Sequence, residues 1–288
     1  MANQDDETSP FTLLPEGCIA NILSFTSPKD ACRFEAVSFG FKSAADSDTV
    51  WERFLPPDYQ NILARSSSPV TYSSKKELFF LLCDSPLLLD EGKLSFWLSK
   101  PSGKKCYMLC ARELQIAWKD TPTYWKWTSL PESRFSEVAE LMSVCWLEIL
   151  GIIRSEMLSP MTNYAAYLVF KLREAHYGLD CSSKATIKFV KDGNLTEIEE
   201  VATSNVYIVP PLYRSVSRQN RWRRRPISHI DGRVPQTRSD SWMEIELGTF
   251  FNGEIDNDID IHMQLLEGVN LGWKKGLVLQ GIEVRPKE

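Results

Sequence analysis

The sequence predicts an α+β chain of two modules, a small N-terminal helical module followed by an antiparallel, jelly-roll-like β-sandwich. Two observations carry this. Apolar residues recur at steps of three and four from Leu14 to Leu55, whereas beyond residue 90 they alternate or run continuously in stretches of four to nine. A third observation sets the scale. At 288 residues, with 43% hydrophobic, 25% charged and nine Trp, the chain has the composition of an ordered globular protein with room for one small and one medium unit.

The first ten residues, with Asp5, Asp6 and Glu7, hold neither an apolar stripe nor a basic n-region followed by an apolar h-region. They are expected to be disordered and not to act as a secretory leader. Leu14, Cys18, Ile19, Ile22 and Leu23 then fall on one helical face, and Pro15 suits a first helical turn. Ser27, before Pro28 and three residues ahead of Asp30, starts a second helix in the manner of a capping box, carrying Ala31, Phe34 and Val37. A third segment ends in Val50, Trp51, Phe54 and Leu55. Helices this short bury little surface alone, so a partner helix face is their natural completion.

These residues resemble the F-box. The run LLPEGCIANILSF at 13–25, the Ser-Pro helix start, Arg33, Val37 and the closing Trp51 fall in the order of that module, while Phe39 to Phe41 depart from its usual run. The resemblance implies an F-box over 11–56 that binds a Skp-type adaptor, and through it a cullin, with Leu14, Pro15, Ile19, Ile22, Leu23, Val37 and Trp51 as contact residues.

Prolines 56, 57 and 69 and serines 66–68 mark a linker over 57–90, with one helix at Lys75 to Cys83. From 91 to 288 strands are expected at Leu94–Leu98, Cys106–Leu109, Trp146–Ile152, Tyr164–Leu172, Ala185–Val190, Val206–Val209, Trp242–Leu247, Ile259–Leu265 and Leu277–Val284. Ile259, Ile261, Met263 and Leu265 alternate with Asp258, Asp260, His262 and Gln264, which gives that strand one wet face.

The chemistry-bearing stretch is AWKDTPTYWKW at 117–127, with three Trp and one Tyr around a proline turn. Exposed indoles offer flat apolar faces on which sugar C–H patches stack, and the alternative is that all three are core. ARELQIAW at 111–118, YWKW at 124–127, EVAEL at 137–141, VCWLE at 144–148, NYAAYLVFK at 163–171 and RSDSWME at 238–244 resemble the phloem protein 2-like lectins. That resemblance runs from about 105 to 286 and implies carbohydrate binding, to N-acetylglucosamine oligomers or the N-glycan core, through Trp118 and Trp125. Trp127 is read as core. Ser241 stands where the family often has Gly before Trp242.

Other patterns point to less. Residues 214–238 hold eight Arg against one acid, and Arg221, Arg223, Arg224 and Arg225 form a candidate nuclear-import run whose alternative is a solvated loop. No nucleic-acid-binding signature accompanies it. Seven scattered Cys fit reduced thiols, and Cys106 and Cys110 on one strand lie about 13 Å apart, beyond disulfide reach. Asp256, Asp258, Asp260 and Glu267 imitate a calcium loop without its required Gly, and three His offer no metal spacing, so neither metal nor cofactor is expected. Asn194 heads a glycosylation sequon expected to stay unmodified. No phosphate loop or nucleophile elbow is visible, and no apolar run approaches a membrane span.

The expected role is therefore a non-enzymatic substrate receptor of an SCF ubiquitin ligase, in cytoplasm and nucleus, whose partners are the adaptor and a glycan or glycoprotein client. The rivals are a free-standing lectin, or a receptor whose sandwich reads protein surfaces without sugar.

Overall fold

The computed structural model describes residues 14–191, 198–211, 213–218, 221–226, 230–254 and 259–287, with 198, 213–218 and 221–226 described by backbone alone. The first ten residues therefore lie outside the described residues, as does Asn194 and as do Asp256 and Asp258. The chain divides into two compact units, one of Met1–Leu87 with Phe96–Lys105, the other of Leu88–Ser95 with Cys106–Glu288.

The helical unit holds α1 (Glu16–Leu23), α2 (Pro28–Phe34), α3 (Phe39–Asp46), α4 (Asp48–Phe54), α5 (Tyr59–Ala64) and α6 (Lys75–Asp84). Serine punctuates it. Ser27, Ser38, Ser47 and Ser74 are N-caps whose hydroxyls accept from the backbone N–H of Asp30, Phe41, Thr49 and Glu77. Ser47 explains why the third helical segment is two helices: its extended backbone ends α3 and its side chain starts α4. Val37 falls outside α2, which stops at Phe34.

The core of this unit is built on Trp51, whose indole N–H donates to the Ala45 carbonyl at 2.6 Å and whose ring meets that of Phe79 at 5.2 Å. Ile19, Leu23, Ile62, Leu78 and Leu82 are buried with them. The segment expected as a linker with one helix therefore supplies two helices and a share of this core, because α5 and α6 each turn apolar residues inward.

The strands begin with β1 (Leu87–Leu89), β2 (Leu94–Leu98), β3 (Lys105–Cys110), β4 (Gln115–Ile116), β5 (Trp125–Thr128) and β6 (Val138–Leu141). Longer ones follow as β7 (Leu147–Arg154), β8 (Thr162–Tyr177), β9 (Ser183–Lys191) and β10 (Ile198–Val206). The last are β11 (Tyr213–Arg218), β12 (Arg221–Pro226), β13 (Gln236–Thr237), β14 (Met243–Asn252), β15 (Ile259–Glu267) and β16 (Lys275–Pro286).

One sheet runs β1-β2-β3-β16-β8-β14-β13 with β6 on β16 and β5 on β6; the other runs β10-β9-β15-β7-β4. The long strands β7, β8, β9, β10, β14, β15 and β16 pair antiparallel with their neighbours, as expected for a sandwich. Their inner faces close on each other at two glycines. A Cβ at Gly151 on β7 would stand 2.9 Å from Ile282 Cδ1 on β16, and one at Gly248 on β14 would stand 2.6 Å from Ile187 Cγ1 on β9. β15 buries Ile261, Met263 and Leu265 and leaves the residues between them half-buried, so its alternation is realised.

The arginine-rich segment is not the plain loop of the alternative reading, since Arg221–Pro226 pairs with Tyr213–Arg218 as a hairpin. The side chains of Arg221, Arg223, Arg224 and Arg225 lie outside the described residues.

Candidate functional site

Residues 117–124 turn off the edge of the five-stranded sheet and lead into β5, which carries Trp125 and Trp127. β4 pairs with β7, and the Ala117 N–H extends that pairing to the Glu148 carbonyl at 3.1 Å. Trp118 then takes a left-handed backbone, φ 59°, a conformation that costs a bulky residue roughly 1 to 3 kcal/mol unless its surroundings impose it. Two groups impose it. Lys119 Nζ donates to the carbonyls of Arg112 and Leu114 at 3.0 and 2.9 Å, and Trp125 Nε1 donates to the Ala117 carbonyl at 3.1 Å.

The result is an indole presented outward. Trp118 is 47% exposed and leans on Tyr124, ring centres 5.5 Å apart. It walls a pocket of about 560 Å³ with Ile116, Lys119, Asp120, Glu148 and Leu150 among its lining. Glu148 is oriented from both sides, Oε1 accepting from Gln264 Nε2 at 2.6 Å and Oε2 from Trp146 Nε1 at 3.1 Å. An aromatic plate beside a fixed carboxylate and an aspartate suits a ligand with one apolar face and several hydroxyls.

The burial of the other two Trp residues reverses the expectation. Trp125 is 2% exposed, because its inward place on β5 and its hydrogen bond to Ala117 make it a strut beneath the turn. Trp127, two residues on along the same strand, is only half-buried, with the Arg112 guanidinium 3.6 Å above its ring. Ser241 sits at φ 67° in the turn that joins the Arg238 N–H to the Trp242 carbonyl at 2.8 Å, which accounts for the glycine expected there.

In the helical unit the residues expected to face an adaptor divide in two. Ile19, Leu23 and Trp51 are core and offer no surface, a correction that follows from α1 and α4 turning these residues inward. Leu14, Pro15, Ile22 and Val37 are exposed. Three phenylalanines join them that the motif alone did not single out as contacts: Phe25, Phe34 and Phe39, the last 93% exposed. Phe25, at i+3 from Ile22, could have been read from spacing.

A second pocket of about 650 Å³, lined by Tyr167, Arg233, Glu244, Glu246, Arg285 and Lys287 among others, lies over a charge network. Arg238 pairs with Glu244 and Glu283 at 2.6 and 3.1 Å, and Arg285 pairs with the same two carboxylates. Burial alone would raise the Glu244 carboxyl, but the hydrogen bond and charge of Arg285, then those of Arg238, hold it below the ordinary 4.5. Every charge named here has an opposite partner, so the network reads as structure. Among the described residues no cluster of His, Cys, Asp and Glu suits a metal, and no helix is long and apolar enough to cross a membrane.

The helical unit exposes a set of apolar side chains, and the sandwich bears an aromatic-walled pocket. The chain belongs to the phloem protein 2 family in its F-box-bearing form, since the Phloem protein 2 model matches residues 104–286 and the F-box domain model matches residues 11–53. It is 46% identical over 279 residues to F-box protein At2g02240 of Arabidopsis thaliana, covering 97% of this chain and 81% of that protein. To F-box protein PP2-B10 of the same plant it is 44% identical over 282 residues, covering 97% and 95%. Among solved structures, a family 35 carbohydrate-binding module from Clostridium thermocellum is similar at TM-score 0.30 and 9% identity, over 62% of this chain and 96% of that one.

Proposed function

We propose that this protein is a substrate receptor of an SCF-type ubiquitin ligase that captures its client through a glycan. The exposed apolar residues Leu14, Ile22, Phe25, Val37 and Phe39 dock a Skp-type adaptor, which carries the cullin, and the sandwich holds a glycoprotein so that its lysines meet ligase-borne ubiquitin at high effective concentration. The chain performs no chemistry of its own. The ligand class is N-acetylglucosamine oligomers or the N-glycan core, stacked on Trp118 and hydrogen-bonded by Asp120 and Glu148, while Trp125 holds the turn from below. The observation that carries the reading is Trp118 itself, a bulky residue held in a left-handed turn with its indole in solvent at a pocket mouth.

The proposed sites of action are cytoplasm and nucleus, with Arg221, Arg223, Arg224 and Arg225 as import signal. Replacing the four by Ala lowers nuclear accumulation of a fluorescent fusion on this reading, and an unaltered distribution removes it. The test of the glycan reading is retention of the full chain on immobilised N-acetylglucosamine oligomers, lost in Trp118→Ala at unchanged melting temperature. A second reading, capture of protein surface without sugar, is favoured by the exposed Val269, Leu271 and Trp273 between β15 and β16. Wild-type chain that ignores every oligomer yet retains client selects it.

A further inference from the structure

Trp146 has a surface position that the core does not require. It precedes β7 by one residue, and side chains two apart on a strand project from the same face, so Trp146 stands in line with Glu148 and Leu150, both walls of the Trp118 pocket. Its indole is 36% exposed and is fixed by the bond to Glu148 Oε2.

The back of the ring is plated by main chain: a Cβ at Gly268 would come within 2.7 Å of its Cζ3. Gly268 in turn follows Glu267, which forms a buried ion pair with Lys274. Lys274 Nζ also donates to the carbonyls of Cys145, Asn270 and Gly272 at 2.9, 2.8 and 2.9 Å, clamping both chain segments that bear on Trp146. A buried ammonium is expensive unless all its donors are met, and here they are met by the segments that hold an outward-facing indole in one pose.

We propose that Trp146, held by Glu148, is a second saccharide subsite beside the Trp118 pocket and takes a further ring of the oligomer; this rests on the carbohydrate reading above. Glu148 lines the pocket that Trp118 walls and also holds the Trp146 indole, so one carboxylate touches both exposed plates. It already accepts one bond at each oxygen, and each oxygen keeps a lone pair for a sugar hydroxyl or amide N–H. Gln264, which bonds Glu148, positions that carboxylate from β15.

The test is calorimetric titration of the full chain with N-acetylglucosamine and with its tetramer. Wild type binds the tetramer more tightly than the monomer, Trp118→Ala loses both, and Trp146→Ala loses about tenfold on the tetramer alone, the scale of one aromatic stacking contact. Equal tetramer affinity in Trp146→Ala and wild type overturns the second subsite and leaves the Trp118 reading intact. Wild type that binds neither sugar overturns both. A measurement on unaltered protein guards against misfolding of the variant: the Trp146 indole N–H resonance, assigned with Trp146→Phe, shifts with tetramer well beyond the shift that monomer gives through Glu148. A resonance that the tetramer leaves unmoved overturns the subsite.

Discussion

At the scale of single residues, the three Trp of one short stretch do different work because the backbone turns between them. Trp118→Ala removes an exposed plate and leaves no core cavity, so its melting temperature should stay near wild type while, on the proposed function, sugar retention should fall. Trp125→Ala removes a fully buried indole and the donor to Ala117, and should cost about 3 to 5 kcal/mol of folding in a denaturant melt. A Trp125→Ala chain as stable as wild type contradicts the strut assignment. The Lys274 clamp gives a parallel expectation. Lys274→Met leaves Glu267 buried without its partner and frees three carbonyls, so a loss of about 3 to 5 kcal/mol is expected in the same melt, whereas a loss under about 1 kcal/mol means water replaces the clamp.

At the scale of elements, α1 illustrates how far a stripe of residues can be read. Its apolar spacing locates the helix and its inner face, but Ile22 and Leu23 are neighbours in sequence with opposite fates, 50% against 1% exposed, and only packing against the other helices decides between them. Ile22→Asp with Val37→Asp should therefore abolish co-purification with the adaptor while the chain still folds, whereas Leu23→Asp buries an unpaired charge and should unfold the unit. Retained adaptor in the Ile22 and Val37 double variant removes that face from the interface.

The paired strands β8, β14 and β16 carry their own expectation through Glu244. Its folded carboxyl titrates below 4.5, so the unfolded chain takes up the proton first as pH falls. The stability it contributes is present above pH 4.5 and is lost as pH drops through the lower folded value. Glu244→Gln should flatten the fall of melting temperature below pH 4.5, and an unchanged slope assigns that fall to other carboxylates.

At the scale of the whole molecule, the two periodicities and the motifs in them were enough to place a helical module before a sandwich. The long strands β7, β8, β9, β14, β15 and β16 fell where apolar runs or alternation announced them, because each buries at least one face. Less legible was what depends on tertiary placement. β10 lies upstream of the segment expected at Val206–Val209, since the stretch Glu199–Asn205 has no clean apolar alternation to mark it. Trp125 reads the same as Trp118 until the left-handed turn at Trp118 is known, and Trp146 takes on meaning only once Gly268 and Glu148 are seen around it.

On the proposed function, one chain joins adaptor and glycan at the same time. Passing the Skp-type adaptor over immobilised N-acetylglucosamine tetramer, with and without this protein, tests this joining. Adaptor should be retained only when the chain is present, and should be lost with free tetramer or with Trp118→Ala. Adaptor that binds the chain in solution yet flows through a column on which the chain itself is held would contradict it, as would a chain that never binds the column.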